Sequence, residues 1–270
     1  MQPLSSADRQ TLRETYAEQG YVVIPGVVPS DRLSDLGKGL IDEFDRARSS
    51  GALLKGGGLL AGHLNCFPGV RSRFVYEAIR DAGIVDFVRE VFPKPFGTPT
   101  VGCNLNLPNS VVQHYHVDSG YLQDFMIVNV AMAETTIENG AIEVAPGTHK
   151  KFYKFWRFAI ERPHRSARRL LMRAGDVLVR TSRLWHRGMP NFSARPRLMM
   201  AMTFVENTDS ASLDKDPFVY NDGKVAFLQN WYRPTLIGRL RERTFVAAPL
   251  TYDAYRFVRS MFGDKGYRTA

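Results

Sequence analysis

The sequence predicts a mainly β fold with flanking helices, of the jelly-roll or barrel kind. Two observations predict it. From Thr98 onward, short strand-like runs follow one another at 98–107, 111–118, 125–133, 140–145, 176–181 and 197–205, separated by Gly- and Pro-rich turns. The clear helical patterns lie before these runs. At 270 residues with 44% apolar content, the chain can fill one sizeable core, and β folds of this length are commonly single units. One domain over 1–270 is expected, with its core at about 8–207 and a helical extension over about 208–270.

Each element has a local cause. Ser5 or Ser6 caps a helix over residues 7–19. Tyr21 to Val28 reads as a strand, with Pro25 and Gly26 marking a bulge or an edge. Ser30 caps a second helix reaching about Ala47, with Asp31 and Asp35 near its positive end. Gly56, Gly57 and Gly58 mark a loop, and Asp81 to Val91 reads as a third helix closed by Pro93 and Pro95.

The chemistry is carried by His116-Val117-Asp118, His186 and Arg197. In an extended 111–118 segment, side chains two apart share a face, so His116 and Asp118 project together. His186 stands in a Gly- and Pro-punctuated loop, and Arg197 opens a strand eleven residues later. Two imidazoles and one carboxylate form the facial set that suits a mononuclear non-haem iron(II) with open positions. A nearby guanidinium can pair with a dicarboxylate in a directional, two-pronged bond that lysine copies poorly. His114 shares the expected face and leaves a rival open. That rival is a zinc or manganese cupin site on His114 and His116, serving an isomerase or hydrolase. The cupin pattern wants a Glu four or five residues after the second His, where Gly120 and Tyr121 stand.

The pieces together resemble the phytanoyl-CoA dioxygenase (PhyH-like) family of iron(II)/2-oxoglutarate-dependent oxygenases. Matching segments are Gly20 to Gly26, His116-Val117-Asp118, Asn139-Gly140, Pro146-Gly147-Thr148-His149, Ala174-Gly175-Asp176-Val177, and His186 to Arg197 with Asn191 and Ser193 between. The resemblance implies a double-stranded β-helix, a cupin-like jelly roll, with Fe(II) held by His116, Asp118 and His186. It also implies 2-oxoglutarate on that iron, its distal carboxylate on Arg197, and O2 as the oxidant of an unactivated C–H bond. Relatives that halogenate carry a small residue in place of the carboxylate, so Asp118 points to hydroxylation. Members of the family often have Trp where this chain has Asn129. Asn129 either bonds co-substrate or substrate, or satisfies backbone groups. Gln113 and Tyr121 are further pocket candidates, Arg195 competes with Arg197, and Arg187 is either a substrate contact or solvated. His149 is expected to serve its turn as a hydrogen-bonding group. A non-catalytic protein holding anionic saccharides or lipids is a further alternative.

Composition narrows the setting. Only Cys66 and Cys103 occur, without metal-ligand spacing, so buried thiols in a reducing cytoplasm are expected. The first residues show no signal-peptide pattern, and no run approaches the roughly 20 apolar residues of a membrane span. Charge is regional: residues 101–149 hold five acids and no Lys or Arg, whereas 150–270 hold 24 basic residues against 10 acids. Aromatics interleave with cations from Lys150 to Arg173. This segment is either a solvated insertion packed on the fold or a basic lid over the site mouth. A basic lid favours a small-molecule or carrier-bound acidic substrate, with an anionic membrane or lipid-linked substrate as a peripheral contact. No nucleic acid is expected, because no reading module accompanies the charge.

Overall fold

Two antiparallel sheets carry the chain in the computed structural model, which describes residues 3–51, 59–118, 124–207, 216, 218, 224–229 and 235–262. The loop at Gly56 to Gly58, Tyr121, and the run Trp231 to Pro234 lie outside the described residues. In chain order the strands are β1 (Tyr21–Ile24), β2 (His63–Phe67), β3 (Thr100–Asn106), β4 (Met126–Ala131) and β5 (Glu143–Val144). They continue as β6 (Arg168–Arg169), β7 (Val177–Thr181), β8 (His186–Arg187), β9 (Arg197–Phe204) and β10 (Ala226–Gln229). The large sheet runs β1-β7-β4-β9-β3-β2-β10 and the small one β6-β5-β8. This is the expected jelly roll, but among the described residues no barrel closes, because β1 and β10 remain separate edges.

Side-chain alternation explains both faces of the large sheet. Along β9, Leu198, Met200, Met202 and Phe204 enter one core, while Arg197, Met199, Ala201 and Thr203 line a cavity on the other face. β4 repeats the division, with Val128 and Val130 in the core and Ile127 and Asn129 on the cavity. The core face is covered by helices α1 (Ser6–Gln19), α2 (Ser30–Ser49), α3 (Arg73–Asp81) and α4 (Ile84–Val91). Leu33, Leu36, Leu40 and Phe44 of α2 recur at helical spacing and all enter that core. On the other face, Ala131, Leu178 and Met199 of the large sheet pack with Val144 of the small one.

The boundary at α1 agrees with expectation, and several others differ. Ser5 is the cap of α1, its hydroxyl accepting from the Asp8 amide while the Asp8 carboxylate returns to the Ser5 amide. Pro29, not Ser30, precedes α2, and no side chain caps it. Of the helix expected over 81–91, α4 covers Ile84–Val91 and starts after Gly83 with φ 76°, whereas α3, which ends at Asp81, was not expected; that left-handed turn comes at little steric cost to glycine. β1 stops at Ile24, and Val27 and Val28 donate instead to Gly175 O. The 111–118 segment is no strand. Its bonds to the facing chain run Gln113 to Gly188, His116 to His186 and Asp118 to Ser182, a spacing too uneven for a ladder.

The basic insertion contains α5 (Phe155–Glu161) and β6, and the chain ends in α6 (Leu236–Ala247) and α7 (Pro249–Phe262). Among the described residues no helix is long and apolar enough to cross a membrane.

Candidate metal centre

Backbone pairing brings the expected ligands together without a regular strand. His116 and His186 exchange both amide-to-carbonyl bonds at 3.0 Å, and the Asp118 amide donates to Ser182 O at 3.1 Å. Each imidazole is fixed in the same way. Nδ1 faces a carbonyl oxygen two residues back, His114 O for His116 and Leu184 O for His186, both at 2.9 Å. A carbonyl only accepts, so Nδ1 carries the proton and Nε2 presents its lone pair.

Donor atoms of His116, Asp118 and His186 lie within 4.8 Å of one another. Asp118 Oδ1 stands 3.6 Å from His186 Nε2. Burial pushes His186 down to about 3, against the attraction of Asp118, and holds His116 below its ordinary value as well. Both rings are therefore neutral near pH 7, the state in which imidazole ligates a metal. Burial alone would raise the Asp118 carboxyl, but Arg180, then His186 and His116, hold it below the usual carboxylate range. Two neutral imidazoles and one carboxylate suit iron(II).

The triad opens on a cavity of about 390 Å³ that Gln113, Asn129, Arg180 and Arg197 also line. That volume lies within the range of small-molecule sites, about 300–1,000 Å³. Arg197 is 4% exposed, and its Nη2 donates to Gly140 O at 3.0 Å. Its Nε has no hydrogen-bond partner among the described residues, nor does a carboxylate there pair with it. Burial lowers the guanidinium to about 10, which leaves it charged at neutral pH. Gly140 has φ +80°, and a Cβ there would meet Asn106 Nδ2 and Met189 O, each at 2.5 Å. Only glycine brings this carbonyl so close.

Other expected site residues have found internal partners. Gln113 Oε1 accepts from the Gly188 amide at 2.7 Å, which ties it to the turn after His186. Asn129 Oδ1 accepts from Arg180 Nε at 3.0 Å, and Nδ2 donates to Met200 O at 3.3 Å. His114 lies outside the donor set and packs beside Phe245 and Tyr252, with ring centroids 5.6 and 5.5 Å away. Arg195 is exposed. Arg187 pairs with Glu143 at 2.6 Å and lies 4.2 Å from the Tyr115 ring. His149 sits against Gly20 and Tyr16 and is absent from the cavity lining.

Sequence reasoning missed Arg180. Its signal was a lone cation in the otherwise apolar run Val177-Leu178-Val179.

Residues 16–199 match the family described as Phytanoyl-CoA dioxygenase (PhyH). The chain belongs to that family. Among solved structures, this PhyH chain is similar to the epimerase SnoN in complex with Fe3+, alpha ketoglutarate and nogalamycin RO. The two share 18% identity over 84% of this chain and 97% of that one, with a TM-score of 0.54. It is similar to the carbocyclase SnoK from nogalamycin biosynthesis, at 16% identity over 82% and 96%, with a TM-score of 0.59. EvdO2 from Micromonospora carbonacea var. aurantiaca, complexed with 2-oxoglutarate, shares 17% identity over 77% and 96%, with a TM-score of 0.51. At these identities the likeness is one of fold.

In the PhyH chain the basic insertion does not line the cavity. Phe158 of α5 stacks on Trp185, with centroids 4.1 Å apart and rings 16° from parallel. The insertion thus buttresses the residue preceding His186.

Proposed function

We propose that this PhyH chain is an Fe(II)/2-oxoglutarate-dependent dioxygenase that hydroxylates an unactivated C–H bond of an acidic organic substrate. One observation carries the reading: a buried, charged Arg197 without a carboxylate partner among the described residues shares one cavity with the His116–Asp118–His186 donors. A buried cation is costly unless an anion meets it. The distal carboxylate of 2-oxoglutarate supplies that anion, and the guanidinium fork orients it.

Bound iron, 2-oxoglutarate and O2 together supply oxidative decarboxylation to succinate and CO2, coupled to oxidation of a substrate C–H bond. The chain does the rest. His116 and His186 present Nε2, Asp118 presents Oδ1, and Arg197 fixes the co-substrate. Ile127, Ile142 and Met199 give the cavity an apolar wall that limits water. An acidic substrate is favoured by Arg162 and Arg165, exposed cations beside His164. His164 is held below its ordinary value by burial first, then by Arg187, Arg165 and Arg162. Its ring lies 5.6 Å from Tyr115, three residues before Asp118, so this positive field adjoins the metal segment.

The test is anaerobic loading with iron(II) and 2-oxoglutarate, followed by oxygen and a panel of carboxylated, phosphorylated and neutral compounds. Succinate release stimulated by acidic members, with 18O from 18O2 in the product, is expected. Stimulated succinate without 18O in the product removes hydroxylation, and stimulation by neutral compounds alone removes the acidic substrate.

A further inference from the structure

A second guanidinium lines the same cavity and takes no part in the reaction proposed above. Arg180, on β7, is only 5% exposed. Its Nη1 donates to Asp118 Oδ2, and its Nε donates to Asn129 Oδ1 at 3.0 Å. Asn129 is anchored in turn on Met200 O. Three neighbouring strands, β7, β4 and β9, therefore set the plane of one guanidinium.

The contact with Asp118 discriminates between its two oxygens. Oδ2 belongs to Arg180, while Oδ1 is the oxygen that faces His186 Nε2 at 3.6 Å. A carboxylate with both oxygens open can grip a metal through two atoms. One whose Oδ2 is committed to a buried guanidinium offers Oδ1 alone. We propose that Arg180 is a positioning residue that makes Asp118 a one-oxygen ligand, and that Asn129 sets the plane of Arg180. The inference rests on the triad being the metal site. Its consequence is that Oδ2 does not compete with 2-oxoglutarate for a coordination position.

Cobalt(II), added anaerobically to metal-free protein, reports coordination by its absorption spectrum before any co-substrate is present. The variants are Arg180→Met, Arg180→Lys and Asn129→Ala. Arg180→Met is expected to change the cobalt band intensity, to weaken cobalt binding by about 10–100-fold, the range that partners of metal ligands command, and to weaken 2-oxoglutarate binding to the cobalt-loaded protein. Arg180→Lys recovers part of the loss, and Asn129→Ala shifts the spectrum in the same direction by less. A residue that only supports the fold would lower the Tm and leave the spectrum as it is. Should Arg180→Met fail to fold, Asn129→Ala decides the matter by itself. Unchanged spectrum and unchanged co-substrate affinity in the folded variants overturn the positioning role while leaving the triad standing. Failure of the unmodified protein to bind cobalt overturns the triad first, and this inference with it.

Discussion

Replacing Arg197 with methionine keeps most of the side-chain volume and removes the charge. In the structure the guanidinium gives one bond to Gly140 O, leaves Nε uncommitted and meets no carboxylate among the described residues. A co-substrate carboxylate docked on its fork gains two charge-assisted hydrogen bonds, each worth about 1.5–3 kcal/mol. Losing both costs at least about 3 kcal/mol, or roughly 100-fold in Kd. The ligand-free protein should respond quite differently. The bond to Gly140 O is lost, but so is a desolvated charge, and the two changes oppose each other. Thermal unfolding under anaerobic conditions with cobalt(II) separates these effects. At a 2-oxoglutarate concentration of about 100 times Kd, the unmodified protein gains about 2.7 kcal/mol, whereas a variant binding 100-fold more weakly gains only about 0.4 kcal/mol. The ligand-free Tm should move by no more than about 4 °C. A variant that keeps the full ligand-induced shift would show that the co-substrate is held elsewhere.

Asp118→Ala and His186→Ala should each abolish succinate formation and reduce bound iron in the purified protein; normal turnover in either would remove that residue from the ligand set. Metal affinity should stay flat between about pH 7 and 8, because burial holds His186 down at about 3 and keeps His116 below the ordinary value of about 6.5. A titration showing one proton released per metal between about pH 7 and 8 would contradict that. Phe158→Ala deletes a fully buried ring stacked on Trp185 and should cost about 3–5 kcal/mol, read as a fall in Tm. An unchanged Tm would mean that the insertion is not packed there.

The sequence made the ligands legible for a reason only half correct. His116 and Asp118 converge with His186, yet not because an extended strand alternates its side chains. Backbone bonds to Ser182 and His186 seat them at uneven intervals, and such long-range pairing leaves no periodic trace in 111–118. β9 was readable because Leu198, Met200, Met202 and Phe204 in the core alternate with Arg197, Ala201 and Thr203 on the cavity, where Met199 is the one large apolar residue of the strand. β5 falls inside the run read at 140–145, but β6 and β8 were not readable, since two-residue strands carry no pattern of their own. The helix read over 81–91 opened too early because Asp81 closes α3, an element missed although its Val75 and Ile79 enter the same core as Ile84 and Phe87 of α4.

The charge asymmetry also changes meaning once the chain is folded. The five acids of 101–149 looked like one side of a contrast that pointed outward, towards an acidic partner. Three of them meet cations from the β7–β8 stretch instead: Asp118 with Arg180, Asp124 with Arg183 at 3.6 Å, and Glu143 with Arg187 at 2.6 Å. These pairs bind the segments flanking the metal ligands to the strands opposite. Their worth differs with burial. Asp124–Arg183 is long and partly exposed, so it adds under about 1 kcal/mol. Arg180 is buried, so removing Asp118 strands its charge in the interior, which costs about 3–5 kcal/mol. The basic excess left for a substrate is therefore smaller than the count suggests, and exposed Arg162 and Arg165 on the insertion belong to it. Arg162→Glu combined with Arg165→Glu should raise KM for an acidic substrate while leaving kcat and cobalt affinity alone. An unaltered KM would mean that even this remainder is surface charge without a partner.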